Sequence, residues 1–325
     1  MKYYFAPMEG VTTHIFRREH QRMFPGADRY YAPFMVACRE GCFKARELRD
    51  ILPENNGGAA LVPQLLSNDA PSFIAAYRQL MGMGFEEVNL NLGCPSGTVV
   101  SKKRGSGFLS VPDELDDFFA AVFSSGADAV SVKTRTGLKS HGEFERLTEI
   151  YAKYPLRELI IHPRVRTDMY KNTPDTAVFE AAYAGMNCPL CYNGDVFTAA
   201  DCAAIEARFP RVNAVMIGRG AVANPALFRQ IRGGAPLSAD ELREFAANLC
   251  RAYAQAYSGD RSVLQKMKEL WYYTGSMFPD GAKHIKRIMK SQTLADYSAA
   301  ADALFRDCAL DPAAGFHGQK NSDGF

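Results

Sequence analysis

No apolar run in this chain of 325 residues approaches the length of a membrane span. The opening MKYYFAPMEG lacks the apolar stretch of a secretion signal. Neither sign of charge dominates: 38 Lys and Arg stand against 36 Asp and Glu, a formal +2, so affinity for a polyanion has to be local. Eight cysteines (Cys38, Cys42, Cys94, Cys188, Cys191, Cys202, Cys250 and Cys308) are scattered without a disulfide framework, as in a reducing compartment. Cys188 and Cys191 form a lone C-x-x-C at an apolar strand entry, with no second pair nearby for zinc or redox work. Cys38 and Cys42 would share a helix face, but two ligands do not make a metal site. No G-x-G-x-x-G follows the first apolar run, which argues against an open dinucleotide-binding sheet. What is left is a cytoplasmic globular enzyme without a metal, its 47% hydrophobic residues sufficient for a large core.

Eight short apolar runs alternate with helical patterns. The runs fall at 3–6, 31–34, 59–65, 86–90, 129–133, 158–162, 190–193 and 214–218. Helical periodicity fills about 13–23, 39–49, 69–81, 112–125, 142–153, 175–184, 198–207 and 224–231. Eightfold alternation predicts an α/β fold of the (β/α)8 barrel type over 1–232. After the linker Arg232-Gly233-Gly234-Ala235-Pro236 the pattern is purely helical, at 238–256, 261–273, 281–289 and 294–307. Ser238 and Glu241 form a capping box at its start. The second domain, 233–310, is therefore a small helical one, and 311–325 is a polar, Gly-rich tail expected to be mobile. Between Asp260 and Lys290 seven Lys and Arg face three acids. That excess is either a solvated face or a polyanion contact.

One stretch, VNLNLGCPSGTVVSKKRG at 88–105, organises the remainder. Val88, Leu90 and Leu92 alternate with Asn89 and Asn91, as in a buried strand that ends among polar groups. Pro95 stops the strand, and Gly97 and Gly105 free the loop that follows. A free cysteine is commonly an inert core residue. The Gly-Cys-Pro turn instead puts the Cys94 sulfur at an element end, where barrel chemistry collects.

Other polar groups are expected at the same mouth: Met8-Glu9-Gly10 after the first strand, Gln64 after the third, Lys133 and Arg135 after the fifth, His162 and Arg164 after the sixth. Asn193-Gly194-Asp195 follows the seventh strand, and Gly218-Arg219 the eighth. Each of the last two clusters alone is an ordinary turn. Together they occupy the position where such barrels build phosphate sites. A buried Lys133 calls for an anionic ligand. His162 by itself is as well explained as a structural residue. Gln64 has the donor and acceptor needed to read a heterocycle edge. A phosphate subsite at one end with an amide and a cation at the other describes a pocket for flavin mononucleotide (FMN).

The strand-end motifs APMEGVT, VPQL, VNLNLGCP, VKTRTG, IHPRVRTDMY, YNGDV and IGRGAVANP, in this order between Phe5 and Phe228, resemble the tRNA-dihydrouridine synthase family. The helical appendage is similar in size and position to that family's RNA-binding domain. The resemblance implies that Met8, Glu9, Gly10, Gln64, Lys133, His162, Asn193, Gly194, Asp195, Gly218 and Arg219 bind FMN. It implies Cys94 as the proton donor, and Asn91, Arg135 and Arg164 as holders of the target base or its phosphates. Pro163 stands where many relatives have Gly, and Glu9 where many have Ala.

The implied reaction reduces specific tRNA uridines to 5,6-dihydrouridine. Hydride goes from flavin N5 to C6 and a proton goes to C5, with NADPH as reductant. A neutral thiol suits the proton transfer. The base must leave its stack to reach the flavin. Lys283, Lys286 and Arg287, with Lys102, Lys103 and Arg104, then become phosphate contacts. An FMN enzyme of free pyrimidines, of the dihydroorotate or dihydropyrimidine dehydrogenase kind, is the alternative, but it has no need of a basic appendage. A non-catalytic RNA-binding barrel is a third reading, which leaves the pocket unexplained.

Overall fold

The computed structural model describes residues 1–39 and 43–317. Eight parallel staves close into a barrel. They are β1 (Lys2–Phe5), β2 (Arg29–Tyr31 and Met35–Val36), β3 (Leu61–Val62 and Gln64–Leu66), β4 (Val88–Leu92), β5 (Val130–Arg135), β6 (Leu159–His162), β7 (Leu190–Tyr192) and β8 (Ala214–Ile217). The ring closes where Phe5 of β1 lies opposite Ile217 of β8. The two pieces of β2 pair with the two pieces of β3, Tyr30 against Leu61 and Met35 against Leu65. Both interruptions hold a proline, Pro33 and Pro63, which has no N–H for the ladder. The expected second run, 31–34, straddles the first of these breaks; its strand begins earlier, at Arg29.

Alternation along the staves separates two cores. Tyr4, Ala6, Tyr31, Val62, Ile160, Cys191, Ala214 and Met216 form one cluster, the filling of the barrel. Cys191 is fully buried in it, which ends any role for the C-x-x-C as an accessible pair. Their strand neighbours, such as Tyr3, Phe5, Leu90 and Ile161, belong to the larger cluster beneath the helices. At the closed end, Glu87 and Glu158 are buried with Arg29, Tyr4, Tyr31 and Asn213.

Around the barrel run α1 (His14–Met23), α2 (Ala45–Ile51), α3 (Ala70–Gly82), α4 (Pro112–Ser124), α5 (Glu143–Ala152), α6 (Thr176–Gly185), α7 (Ala199–Arg208) and α8 (Leu227–Ile231). Asp69 caps α3 by accepting the Ser72 N–H at 3.0 Å, and Thr198 caps α7 through the Asp201 N–H at 3.1 Å. α2 begins at Ala45, so Cys38 precedes it; Cys42 lies outside the described residues.

Four helices follow: α9 (Ala239–Ala256), α10 (Asp260–Thr274), α11 (Ala282–Lys290) and α12 (Leu294–Asp307). The Ser238–Glu241 capping box forms as its sequence predicts. Trp271 is fully buried at their centre, its indole N–H donating to Tyr297 Oη at 3.0 Å. α9 joins the barrel through Phe245, whose ring meets Phe16 and Phe24 of the α1 region edge-on at 5.6 and 5.4 Å. Lys266 of α10 reaches the barrel rim, donating to the Gly10 carbonyl at 2.6 Å.

Residues 311–317 differ from the mobile tail the composition predicts. The Asp311 N–H donates to the Met277 carbonyl at 2.8 Å, and Phe316 is buried against the barrel mouth. Polar composition hid one aromatic anchor at Phe316. Residues 318–325 lie outside the described ones. Among the described residues no helix is long and apolar enough to cross a membrane, and no group of metal-ligating side chains assembles.

Candidate active site at the barrel mouth

The carboxyl ends of the staves carry one small cavity of about 90 Å³, lined among others by Met8, Gly93, Lys133, His162, Asn193, Gly194, Gly218 and Arg219. Six separate stave ends thus meet where the sequence places them together. Outside it lies a cleft of about 940 Å³ between the rim and the appendage, with Glu9, Lys268, Tyr272, Tyr273 and Gln292 in its walls.

Lys133 forms no ion pair or hydrogen bond within the described residues, although it lines the cavity. Burial, and then the Arg135 guanidinium, bring its ammonium down from 10.5 to about 8. His162 uses Nδ1 on the Asn193 carbonyl, 2.6 Å away, so this nitrogen carries the proton. Its Nε2 is a buried acceptor with no partner among the described residues. Burial, with Arg135 and Lys133 nearby, holds the imidazole well below its usual 6.5 and therefore neutral. An unpaired ammonium and an unpaired imidazole acceptor facing one cavity are suited to a ligand that brings both an anion and an N–H or O–H donor.

Asp195 binds two guanidiniums. Arg164 Nη1 lies 2.8 Å from one carboxylate oxygen, and Arg219 shares that same oxygen. Arg219 itself lines the cavity. Gly194 is required by space: a Cβ there would sit 2.1 Å from the Tyr192 hydroxyl. The turn after β7 is thereby pressed close to its strand, with its backbone at the cavity surface.

Several expected site residues do other work. Gln64 is fully buried one layer down: its amide donates to Asn89 Oδ1 at 2.8 Å and its Oε1 accepts from Asn91 at 2.7 Å. It supports Asn91 in place of facing the cavity. Asn91 in turn accepts the N–H groups of Gly93 and Cys94. Arg135 donates to the carbonyls of Gly93, Val165 and Met169 at 3.0, 3.0 and 3.1 Å, which ties the loops after β4 and β6 together. Arg164 is 1% exposed and held by Asp195 and the Asn172 carbonyl. Arg164 is thereby shut away from the mouth, whereas Arg135 stays in the cavity wall beside Tyr170. Glu9 and Gly10 face the outer clefts and α10, while Met8 alone of that turn lines the cavity.

Cys94 is half-buried on the rim beside Gly93. Burial pushes its thiol up from the usual 9.0 and the Glu9 carboxylate adds to this, against the Ser96 N–H, Arg135 and Lys133. The thiol is a proton carrier at neutral pH. Its loop is pinned by the Ser106 hydroxyl and N–H on the Cys94 carbonyl, at 2.8 and 3.1 Å. Gly105, at φ +54°, packs so closely that a Cβ would lie 3.0 Å from Cys94 Cβ.

Two further residues stand at the mouth without a role that the sequence assigns. Tyr170 covers the cavity, its ring 4.5 Å under the Arg219 guanidinium and 5.4 Å from that of Arg135. It lies within the IHPRVRTDMY motif, yet only the loop's return over the barrel gives it a role. Phe316 lies far along the chain from the nearest mouth motif, which ends at Pro225. On α11, Lys283, Lys286 and Arg287 are exposed and form no ion pair among the described residues, opposite buried Ile285 and Ile288. Lys103 pairs instead with Glu114 at 2.8 Å, and Arg104 with Asn68 at 3.0 Å.

Known proteins match this arrangement in sequence and in fold. The chain is 28% identical to tRNA-dihydrouridine synthase B of Vibrio cholerae over 229 residues, 70% of each chain. It is 27% identical over 304 residues to a probable tRNA-dihydrouridine synthase of Rhodobacter capsulatus, covering 89% of this chain and 91% of that one. The old yellow enzyme homologue of Zymomonas mobilis shares the fold at 13% identity and a TM-score of 0.50, over 73% of this chain and 90% of its own. The dihydrouridine synthase (Dus) pattern itself matches residues 4–307, so it takes in both the barrel mouth and the four helices beside it, and the chain belongs to the dihydrouridine synthase family.

Proposed function

We propose that this protein reduces uridines in tRNA to 5,6-dihydrouridine, using FMN in the barrel mouth and NADPH as the source of electrons. The observation that carries the proposal is the pairing of a protonated thiol, Cys94, with a cavity that offers the free Lys133 ammonium and the free His162 Nε2.

The residues fit a flavin. Lys133 would meet the electron-rich polar side of the ring, and His162 Nε2 would accept from a ring N–H or a ribityl hydroxyl. Asn193, Gly194, Gly218 and Arg219 would hold the phosphate end, Asp195 keeping Arg219 in place and Met8 closing the apolar side. The cavity of about 90 Å³ would enclose only part of such a ligand, since ligand sites usually span roughly 300–1,000 Å³. When bound, FMN supplies the hydride that C6 of uracil receives.

The chain does the remainder. Asn91 and Arg135 fix the Gly93–Cys94 turn. Cys94 Sγ–H gives its proton to C5, and the thiolate left behind is reprotonated from solvent at the open cleft. The cleft of about 940 Å³ has room for an extruded nucleotide. The helical domain, 233–310, would carry the tRNA, with Lys283, Lys286 and Arg287 on its phosphates. NADPH would approach by the same mouth, since no separate dinucleotide motif exists.

The decisive experiment maps dihydrouridine in tRNA from cells lacking the protein and from cells restored with it. Loss and recovery at defined positions is the expected result. Intact dihydrouridine, with turnover of free uracil or orotate by the purified protein, would favour the free-pyrimidine enzyme.

A further inference from the structure

The Arg219 guanidinium sits in a box of aromatic rings drawn from distant parts of the chain. Its Cζ lies 4.5 Å from the Tyr170 ring centre, 5.3 Å from Phe197 and 5.7 Å from Phe316. Tyr170 comes from the loop after β6, Phe197 from the loop after β7, and Phe316 from the last described turn of the chain. Phe316 is 4% exposed, packed at 5.7 Å on Phe197 and at 5.4 Å on Tyr273 of α10. The strap that delivers it is anchored at both of its neighbours. Asn224 donates to the Pro312 carbonyl, and Gly315, at φ +67°, lies against Phe197 and Thr198.

Resting on the flavin reading above, we propose that Phe316 is a positioning residue for the cofactor phosphate. It closes the box that holds Arg219 toward the turns after β7 and β8. Charge alone leaves Arg219 poorly aimed, because Asp195 engages one edge of the guanidinium and a flexible stem carries the rest. Flat rings on its faces limit rotation and leave the edge donors free for an anion. Tyr272 and Tyr273, against Phe316, also line the outer cleft, so the same ring joins the phosphate end of the cofactor to the wall of the substrate cleft.

The test compares FMN with riboflavin, which lacks the phosphate. Phe316→Leu keeps an apolar plug but removes the ring face. The expected result is FMN release about tenfold faster, followed by flavin fluorescence on dilution, with riboflavin affinity unchanged. Phe316→Tyr should restore the wild-type rate, and thermal midpoints of the apoproteins should agree. An equal loss for both flavins would make the strap a general cover and overturn the proposal, as would no loss for either. If Phe316→Leu does not fold, Phe197→Leu removes another face of the box and is held to the same outcomes. A wild-type protein that takes up neither flavin refutes the cofactor reading itself, a result distinct from all of these.

Discussion

Asn91 Oδ1 accepts the backbone N–H of Cys94 at 2.9 Å, and the Asn91 amide is itself fixed by Gln64 at 2.7 Å. The Cys94 turn thus hangs from an amide chain that descends into the barrel through Asn89 to Ser131. Asn91→Ala frees two loop N–H groups and one Gln64 acceptor in a buried setting. Stability should fall by about 1–3 kcal/mol, read from urea unfolding. Turnover of tRNA should fall about a hundredfold while flavin stays bound, because a small misplacement of the thiol is enough. Unchanged turnover with lowered stability would make the chain a packing device alone.

The thiol gives a second prediction. As the proposed donor Cys94 would act in its protonated form, and burial raises its pKa above the usual 9.0. Single-turnover tRNA reduction should therefore stay level through neutral pH and decline only on the alkaline side of that value. Cys94→Ala should keep flavin and tRNA affinity and lose reduction. A fall in rate beginning below neutrality would instead point to a thiolate.

Much of this mouth was legible in the sequence, and the reason is geometric. In a parallel barrel every stave ends at the same face, so residues such as Lys133, His162, Asn193 and Arg219 can be brought together by counting strands. Direction was less legible than position. Gln64 and Asn91 have side chains on the inward face of β3 and β4, and neighbouring polar groups there satisfy one another. Arg164 found Asp195 and a carbonyl before any ligand could, and Arg135 spends three donors on loop carbonyls while staying in the cavity wall, which motif spacing does not reveal. Phe316 was out of reach because a tail's composition says nothing of where one ring lands.

Lys133 titrates near neutrality, at about 8, because burial and Arg135 disfavour its charge. An anionic flavin edge favours the charged form, so affinity should weaken as pH rises through about 8 and the ammonium is lost. Lys133→Met should bind FMN about ten- to a hundredfold more weakly at neutral pH and lose that dependence. Fluorescence titration across the range checks both. An equally steep dependence in the variant would place the titrating group elsewhere.

At the closed end of the barrel Glu158 is 2% exposed, and burial, with Glu87 nearby, raises it from 4.5 to about 7 against the Asn213 and Tyr4 hydrogen bonds. A carboxyl that ionises later in the fold than in the unfolded chain favours the fold when protonated. Its contribution is complete below 4.5 and is lost as pH climbs to about 7, a fall of about 3 kcal/mol. Glu158→Gln should flatten this, matching the wild type at about pH 5 and exceeding it at about pH 8 in urea unfolding. An identical difference at both pH values would show that the carboxylate is fully compensated when ionised.

The basic face of α11 supplies a last prediction. Lys283, Lys286 and Arg287 project from the side opposite Ile285 and Ile288, and no carboxylate pairs with them among the described residues. Reversing all three to Glu leaves the core alone, so the apoprotein should melt as before. If these groups meet phosphates, each contact releases roughly 0.7–0.9 counterions, and the slope of log affinity against log salt should shrink by about two to three. Affinity for tRNA should fall most at low salt, measured by fluorescence anisotropy, and flavin uptake should not change. An unaltered slope would move the RNA from this face to the walls of the outer cleft, where Arg261 and Lys268 stand beside Tyr272.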